Sequence, residues 1–572
     1  MVVIGAGGAG MAAALFAAID GASVLLVEHT ALVGGTTALS AGTTWIPGTH
    51  HSASVNKTDT LDDAARYQTN AIGGRTSVAL RQAFLDNGAQ AIKHAEKNSE
   101  LKFRACAKHP DYISDLGGST LSGRALEPLP FDGQLLGDLF SLLRPPIPEF
   151  TVLGGMMVDR TDINHLLGIT TSWASLKHSA RLLLRHASDR LKHPRGTRLE
   201  MGNALVARLL YSLSSHSKVS LLLNTPVARI ERSEQGVDAV TLVQDGTSRS
   251  VQARGGVVLA SGGFNRHAGL RQTMLPGANA DWCPAAPGHT GEAHDLARKL
   301  GAHYGTGGDS HAFWTPVSIR TRDDGSRAVF PHFVMDRAKP GMVTVNQAGL
   351  RFVNESTAYH LFALAMQKQN HAGQSGPAIP AYLICDAEAL RKYGIGMIRP
   401  GATTGAKSLQ PFLADGYLTK GDTLEALAQK LGIDPAGLQT SVAKLNGFAE
   451  TGIDTDFQRG VTAYQQNIGD ASWTGKNPNL GALTHAPFYA VRLYPGDIGA
   501  STGLSTDADA RVLDGHEQAI EGLYAVGNDM HSIMGGVYAA PGITIGPGVV
   551  FGYLAARHAV VRARVAAAKP AR

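Results

Sequence analysis

The chain has 572 residues, 44% of them hydrophobic and 17% charged, with a formal net charge of +5. This is ordinary globular composition, long enough for more than one packing unit, and it excludes a disordered chain. So small a net charge gives no argument for nucleic acid, and Cys106, Cys283 and Cys385 lie too far apart for a CxxC zinc pair or a disulfide framework.

Met1–Ile4 reads as a short apolar strand, so no secretory signal is read ahead of it. No run of about 18 apolar residues exists to span a membrane, and the expected location is the cytoplasm. Gly5-Ala6-Gly7-Gly8-Ala9-Gly10 follows as a turn, Met11–Ile19 as an alanine-rich helix, and Ser23–Val27 as a second strand ending at Glu28. Gly5, Gly7 and Gly10 fit GxGxxG: the first allows the tight turn, the second lets a pyrophosphate approach the backbone, and the third lets helix and strand pack closely. The helix N-terminus then offers its free N–H groups and positive dipole end to the phosphates. Glu28 stands where a carboxylate takes a ribose hydroxyl pair. Strand, turn, helix and acid agree on a dinucleotide site.

Gly34-Gly35-Thr36-Thr37-Ala38-Leu39-Ser40-Ala41-Gly42 comes next. Its small residues and hydroxyls suit a second approach to the cofactor. Residues 61–97 are helical in composition and 140–200 are mixed. Gly202–Ser215 reads as a helix, and Val219–Leu223, Ala228–Arg232, Ala239–Gln244 and Ser250–Ala253 as short strands. Val257–Ala260 is a strand running into Ser261-Gly262-Gly263, and 312–495 is a different mixture, read as a second domain. Near the end, Leu523–Val526 is again a strand with a glycine turn at Gly527, before an apolar helix over 546–566. A cofactor touched at both chain ends is long and embedded, which favours FAD over NAD.

Within 133–200, Trp173, Leu176, Ala180, Leu183, Leu184, Ala187 and Leu191 recur at helical spacing. Lys177, Arg181, Arg185, Arg190 and Lys192 lie largely off that stripe. Such a helix either lies on an anionic membrane surface, through 160–198, or packs on the protein body with a solvated basic face.

At this point the sequence resembles the 3-ketosteroid Δ1-dehydrogenases. The resemblance is carried by Gly34–Gly48 (GGTTALSAGTTWIPG), Gly349–Phe362 (GLRFVNESTAYHLF), Gly496–Leu513 (GDIGASTGLSTDADARVL), Gly522–Asn528, the segment His109-Pro110-Asp111-Tyr112, and Gly535–Gly546. It implies an α/β fold in which a Rossmann-like FAD domain, 1–311 plus 500–572, encloses an inserted α+β catalytic domain at 312–499. It also implies a non-covalent FAD held at Gly5, Gly7, Gly8, Ala9, Gly10, Glu28, His29, Gly34, Gly35, Thr36, Thr37, Ser40, Ala41 and Gly42. Further cofactor contacts are implied at Val227, Ser261, Gly262, Gly263, Gly527, Asn528, Gly542, Ile543 and Ile545. No metal is expected.

The reaction so implied removes two hydrogens from neighbouring ring carbons beside a ketone, with hydride going to flavin N5 and the α-proton to a base. Tyr538 and the N–H of Gly542 are the implied ketone-polarising pair, Tyr359 the base, and Tyr112 its helper. His360 follows Tyr359 where the family usually has an acid, and Tyr538-Ala539-Ala540-Pro541-Gly542 replaces a tighter Tyr-Pro-Gly. Three substrate readings stay open: a 3-ketosteroid oxidised at Δ1, another cyclic ketone (a 5α-steroid at Δ4 or an oxocyclohexane carboxylate), and a fumarate-like dicarboxylate. The last needs arginine clamps, and no arginine stands between Arg511 and Arg557, where that superfamily's key one should fall. A quinone or carrier protein is expected to reoxidise the flavin.

Overall fold

A computed structural model describes residues 1–322, 324–334, 336–372, 376–401 and 406–568. The sequence-expected second FAD-domain segment, 500–572, therefore ends in four residues that lie outside the described ones.

A six-stranded sheet forms the base, in the order 511–513, 519–525, 257–259, 2–4, 24–27, 219–222. Val2–Ile4 pairs in parallel with both Val24–Val27 and Val257–Leu259, and the latter pairs in parallel with 523–525. The valine and leucine runs of these strands are buried because a parallel sheet is covered on both faces. Strands drawn from both ends of the sequence thus share one sheet, and the fold class is α/β.

The helix expected from Met11 begins earlier, at Gly8, and runs to Ile19. The glycine turn itself supplies its first turn, with Gly7 as N-cap and no side chain capping it. Ile545–Ala568 lies along this helix. Gly548 and Gly552 make that approach possible: a Cβ on either would come within 3.1–3.2 Å of Ala9 or Ala13. A separate three-stranded antiparallel sheet, Val227–Ser233, Gly236–Gln244 and Thr247–Gln252, packs against the strand 519–525 of the base.

Residues 312–500 build the other large sheet, in the order 327–331, 312–321, 488–500, 381–386, 342–345, with Thr419–Gly421 against Phe488–Ala500. Its two longest strands are antiparallel partners that begin and end together at Ala312 and Ala500. Ala500 lies against Gly263, where an added Cβ would meet the Ala500 Cβ at 2.7 Å. The helix Tyr359–Ala372 packs on the strand Ala312–Thr321.

Helices Arg160–Leu167 and Trp173–Arg190 form a hairpin. The inward face of the second is Ser175, Ser179, Leu182, His186 and Asp189. Trp173, Leu184 and Leu191 point out, at 78%, 71% and 86% exposure. The helix therefore packs on the body with a solvated basic face, through the inward face and Leu183, while most of the apolar stripe stays outside. No helix among the described residues is long and apolar enough to cross a membrane.

Candidate active site

The glycines of the first turn separate by what surrounds them. A Cβ on Gly5 would meet Ala260 O at 2.2 Å, and one on Gly10 would meet Gly5 O at 2.0 Å, so both are fixed by packing. A Cβ on Gly7 would meet nothing within 4 Å. Gly7 thus faces an open cradle at the helix N-terminus, the shape a pyrophosphate requires. Glu28 accepts N–H bonds from Ala6 and Thr30, both at 2.9 Å, and borders a cleft with Ile4, Gly5, His29, Val227 and Ser261.

The loop 34–42 is pinned on its inner side and open on its outer side. Gly34 N–H donates to Ala6 O at 2.8 Å, and the Asn203 amide donates to Ala38 O at 2.7 Å. Gly42 packs against Met201 and Gly202. Gly35, Thr36, Thr37 and Ser40 are half-buried, and Ala41 is exposed. Thr36 Oγ1 sits 3.1 Å from His289 Nε2, and His289 Nδ1 is buried with no partner. Burial pushes His289 down to about 4, so it is neutral. An open cradle, half-exposed hydroxyls and an orphaned buried imidazole nitrogen fit a large polar cofactor.

At the C-terminal end, the carboxylate of Asp529 accepts from Ser261 N (2.5 Å), Gly263 N (2.8 Å), Ser261 Oγ (3.0 Å) and His294 Nε2 (3.0 Å). Burial opposes charge there, but these bonds win and hold its carboxyl below the usual range. Asp529 thereby ties the 261–263 turn to Gly527 and Asn528. It carries no motif of its own, and sequence reasoning missed it, as it missed His289.

Tyr112, Tyr359 and Tyr538 come together. Tyr112 Oη donates to Tyr359 Oη at 3.4 Å, and the Tyr538 hydroxyl lies near enough to those of Tyr359 and Thr544 to be influenced by both. The Tyr112 and Tyr538 rings stack 5.8 Å apart, and Tyr359 stands edge-on to each. Phe313 and Phe333 wall the cluster, 5.1 Å from Tyr538 and 4.9 Å from Tyr359. A fourth ring, Tyr464, lies 4.8 Å from Tyr112 and was not expected from sequence. Burial raises all four phenols above the ordinary tyrosine value, Tyr464 to about 12.

Tyr112 is held by its backbone. Tyr112 N–H donates to Ala539 O at 2.8 Å, and Tyr67 Oη donates to the same carbonyl. Asp111 accepts from Trp45 Nε1 and Arg124, each at 2.9 Å, though burial still pushes it up to about 6. His360 is a strut: its Nδ1 accepts the Trp314 N–H at 3.1 Å and its Nε2–H donates to Gly536 O at 3.0 Å. That fixes a neutral imidazole between the strand 312–321 and the loop carrying Tyr538. Gly542 has φ +89, and a Cβ there would meet Thr43 O at 2.4 Å. Its N–H has no acceptor among the described residues. Ile543 is buried and Ile545 opens the last helix.

The fold and this site define an FAD-dependent oxidoreductase. The FAD binding domain family matches residues 1–545. The chain is 35% identical to the 4-oxocyclohex-2-ene-1-carboxylate 5-dehydrogenase of Sinomonas cyclohexanicum, over 100% of this chain and 94% of that one. It is 34% identical to the 3-oxosteroid 1-dehydrogenase of Mycolicibacterium smegmatis, over 97% and 96%. The structure of 3-ketosteroid Δ1-dehydrogenase from Sterolibacterium denitrificans, in complex with 1,4-androstadiene-3,17-dione, superimposes with a TM-score of 0.89 at 34% identity, covering 98% of this chain and 99% of that one. The chain belongs to the FAD-binding family that holds the 3-oxosteroid 1-dehydrogenases, as the sequence resemblance implied.

Proposed function

We propose that this enzyme introduces a C=C bond beside a ring ketone, and that its substrate is a 3-ketosteroid oxidised at Δ1. The observation that carries the reading is the meeting of Tyr538, Tyr359 and Tyr112, with Gly542, whose N–H has no acceptor among the described residues, in the same loop as Tyr538. Tyr538 Oη and Gly542 N–H stabilise the charge that develops on the ketone oxygen. Tyr359 takes the α-proton, and Tyr112, donating to Tyr359, steadies the phenolate form. The bound FAD supplies the hydride acceptor. The aromatic walls at Phe313 and Phe333 exclude water and suit an apolar ring.

An oxocyclohexane carboxylate is the second reading, favoured by the 35% identical relative of that name. A carboxylate substrate needs a cation free to clamp it. Arg337, the arginine whose charge reaches this cluster, gives its guanidinium to four backbone carbonyls. That favours the neutral steroid. We further propose the division into an FAD domain, 1–311 with 500–572, and a catalytic domain at 312–499, and a quinone or carrier protein as electron acceptor.

Peripheral contact with an anionic membrane through 160–198 belongs to the same reading. Trp173, Leu176, Leu184 and Leu191 are exposed together with Lys177, Arg181, Arg190 and Lys192. An exposed apolar stripe with basic flanks inserts at a headgroup boundary, where a sterol-like substrate resides. Anaerobic incubation with 4-androstene-3,17-dione, followed by mass spectrometry, tests the function. Loss of two hydrogens to give the 1,4-diene supports it; unchanged steroid contradicts it.

A further inference from the structure

Three arginines are among the largest fully buried side chains: Arg124, Arg459 and Arg337. Arg124 is paired with Asp59 and Asp111, and Arg459 with Glu355. The Arg337 guanidinium has no carboxylate partner among the described residues. Its Nε donates to His332 O (3.1 Å), Nη1 to Glu355 O and Thr357 O (both 2.6 Å), and Nη2 to Phe333 O (2.8 Å). The two nearby carboxylates are committed elsewhere. Asp336 is bound to His332 Nδ1 at 2.6 Å, and Glu355 lies between Arg351 and Arg459.

A buried cation held by neutral carbonyls and the face of the Phe362 ring, 5.2 Å away, is costly, because neither group carries a full opposite charge. Such a cation favours a nearby anion that forms only transiently. The groups that its charge acts on are Tyr464, Asp336, Tyr112 and Tyr359. It also holds the frame of Tyr359. Thr357 O lies just before the helix that Tyr359 begins, and Phe333 O belongs to the ring packed edge-on against Tyr359.

We propose that Arg337 is a positioning residue for the reaction: it holds Tyr359 from two sides and supplies the positive charge that lets the tyrosine cluster carry a negative one while the α-proton is taken. This rests on the reading of Tyr359 as the base. The titratable and charged groups facing the cluster are Tyr112, Tyr464, Tyr538, His360, Asp336 and Arg337. His360 is neutral and Asp336 is hydrogen-bonded to His332, so Arg337 is the cation facing the tyrosines without a carboxylate on its guanidinium.

The test is the pH profile of flavin reduction by a ketone substrate, in rapid mixing, for wild type, Arg337→Gln and Arg337→Lys, each loaded with FAD. Gln keeps N–H donors for the carbonyls and loses the charge; Lys keeps the charge and loses most donors. The proposal expects the apparent pKa of the rising limb to move up by about one unit or more in Arg337→Gln, the size of a nearby-charge effect, and to stay near the wild-type value in Arg337→Lys. Equal rate losses at every pH in both variants, with no shift, mean a structural strut and overturn it. If neither variant retains FAD, loss of both the donor-keeping and the charge-keeping variant means a structural strut and overturns the proposal. Tyr359→Phe separates the two readings, since full reduction in that variant sinks the assignment of the base itself.

Discussion

Tyr359 and Tyr538 meet edge to face, with 5.0 Å between ring centroids and 65° between ring planes. One begins a helix of the 312–500 region, and the other sits in the loop before the C-terminal helix. That ring contact puts the proposed proton acceptor beside the proposed ketone donor. A ketone and its α-carbon are neighbours, so the two roles need two groups this close.

Their separate roles give separate kinetic signatures. Tyr538→Phe removes one donor to the ketone oxygen and is expected to slow flavin reduction by about 10²–10³. Tyr359→Phe removes the base and is expected to cost about 10²–10⁴. Both variants should retain FAD, because neither hydroxyl faces the cradle at Gly7. Stopped-flow reduction under saturating substrate checks this; a Tyr538→Phe enzyme with the wild-type rate would contradict the polarising role.

The glycine turn allows a clean contrast. Gly7→Ala places its methyl in open space, so the chain should fold with near wild-type stability but bind FAD more weakly. Gly10→Ala drives its methyl to 2.0 Å from Gly5 O and should destabilise the fold itself. Thermal melts of the apoproteins with FAD titrations check both. Equal losses of stability in the two variants would count against the cradle.

Acid should weaken the enzyme through buried histidines. His360 has its value lowered from 6.5 to about 4, chiefly by burial, and His289 and His531 are lowered likewise. A folded-state value depressed below the unfolded one gives stability that is present above pH 6.5 and lost as pH falls to about 4. For His360 the span is about 3 kcal/mol. His360→Gln should lower stability at neutral pH, by loosening the Trp314–Gly536 strut, and shrink the loss on acidification. Urea midpoints across that pH window measure it, and an unchanged acid slope would refute the assignment.

Trp173→Glu combined with Leu184→Glu should abolish co-sedimentation with phosphatidylglycerol vesicles while leaving turnover of a water-soluble cyclic ketone intact. Wild-type binding should fall with added salt, because the basic flank contributes through screened charge. Unaltered sedimentation in the double variant would remove membrane contact from the account.

The strand–turn–helix–strand unit around the proposed cofactor site was legible because its pattern is local. Gly5, Gly7, Gly10 and Glu28 lie within one strand–turn–helix–strand unit, at spacings a pyrophosphate and ribose would require. Asp529, His289, Tyr464 and Arg337 were not legible. Each acts across long sequence separations, and no short pattern marks a buried acid, imidazole or cation. The hairpin at 160–190 is a different case. Its apolar residues were read at the right spacing, yet the buried face is polar, because Ser179, His186 and Asp189 find partners in His165 O, Leu153 O and Thr197 N. Polar residues that satisfy one another can face inward, and the apolar stripe is then left to water or lipid.

The most direct test of the central claim is anaerobic rapid mixing of the FAD-loaded enzyme with 4-androstene-3,17-dione, with 5α-androstanedione and an oxocyclohexane carboxylate alongside. The account expects the visible flavin band to bleach fastest with 4-androstene-3,17-dione and to bleach far more slowly in Tyr538→Phe. Bleaching by the carboxylate alone, or by no ketone at all, would contradict it.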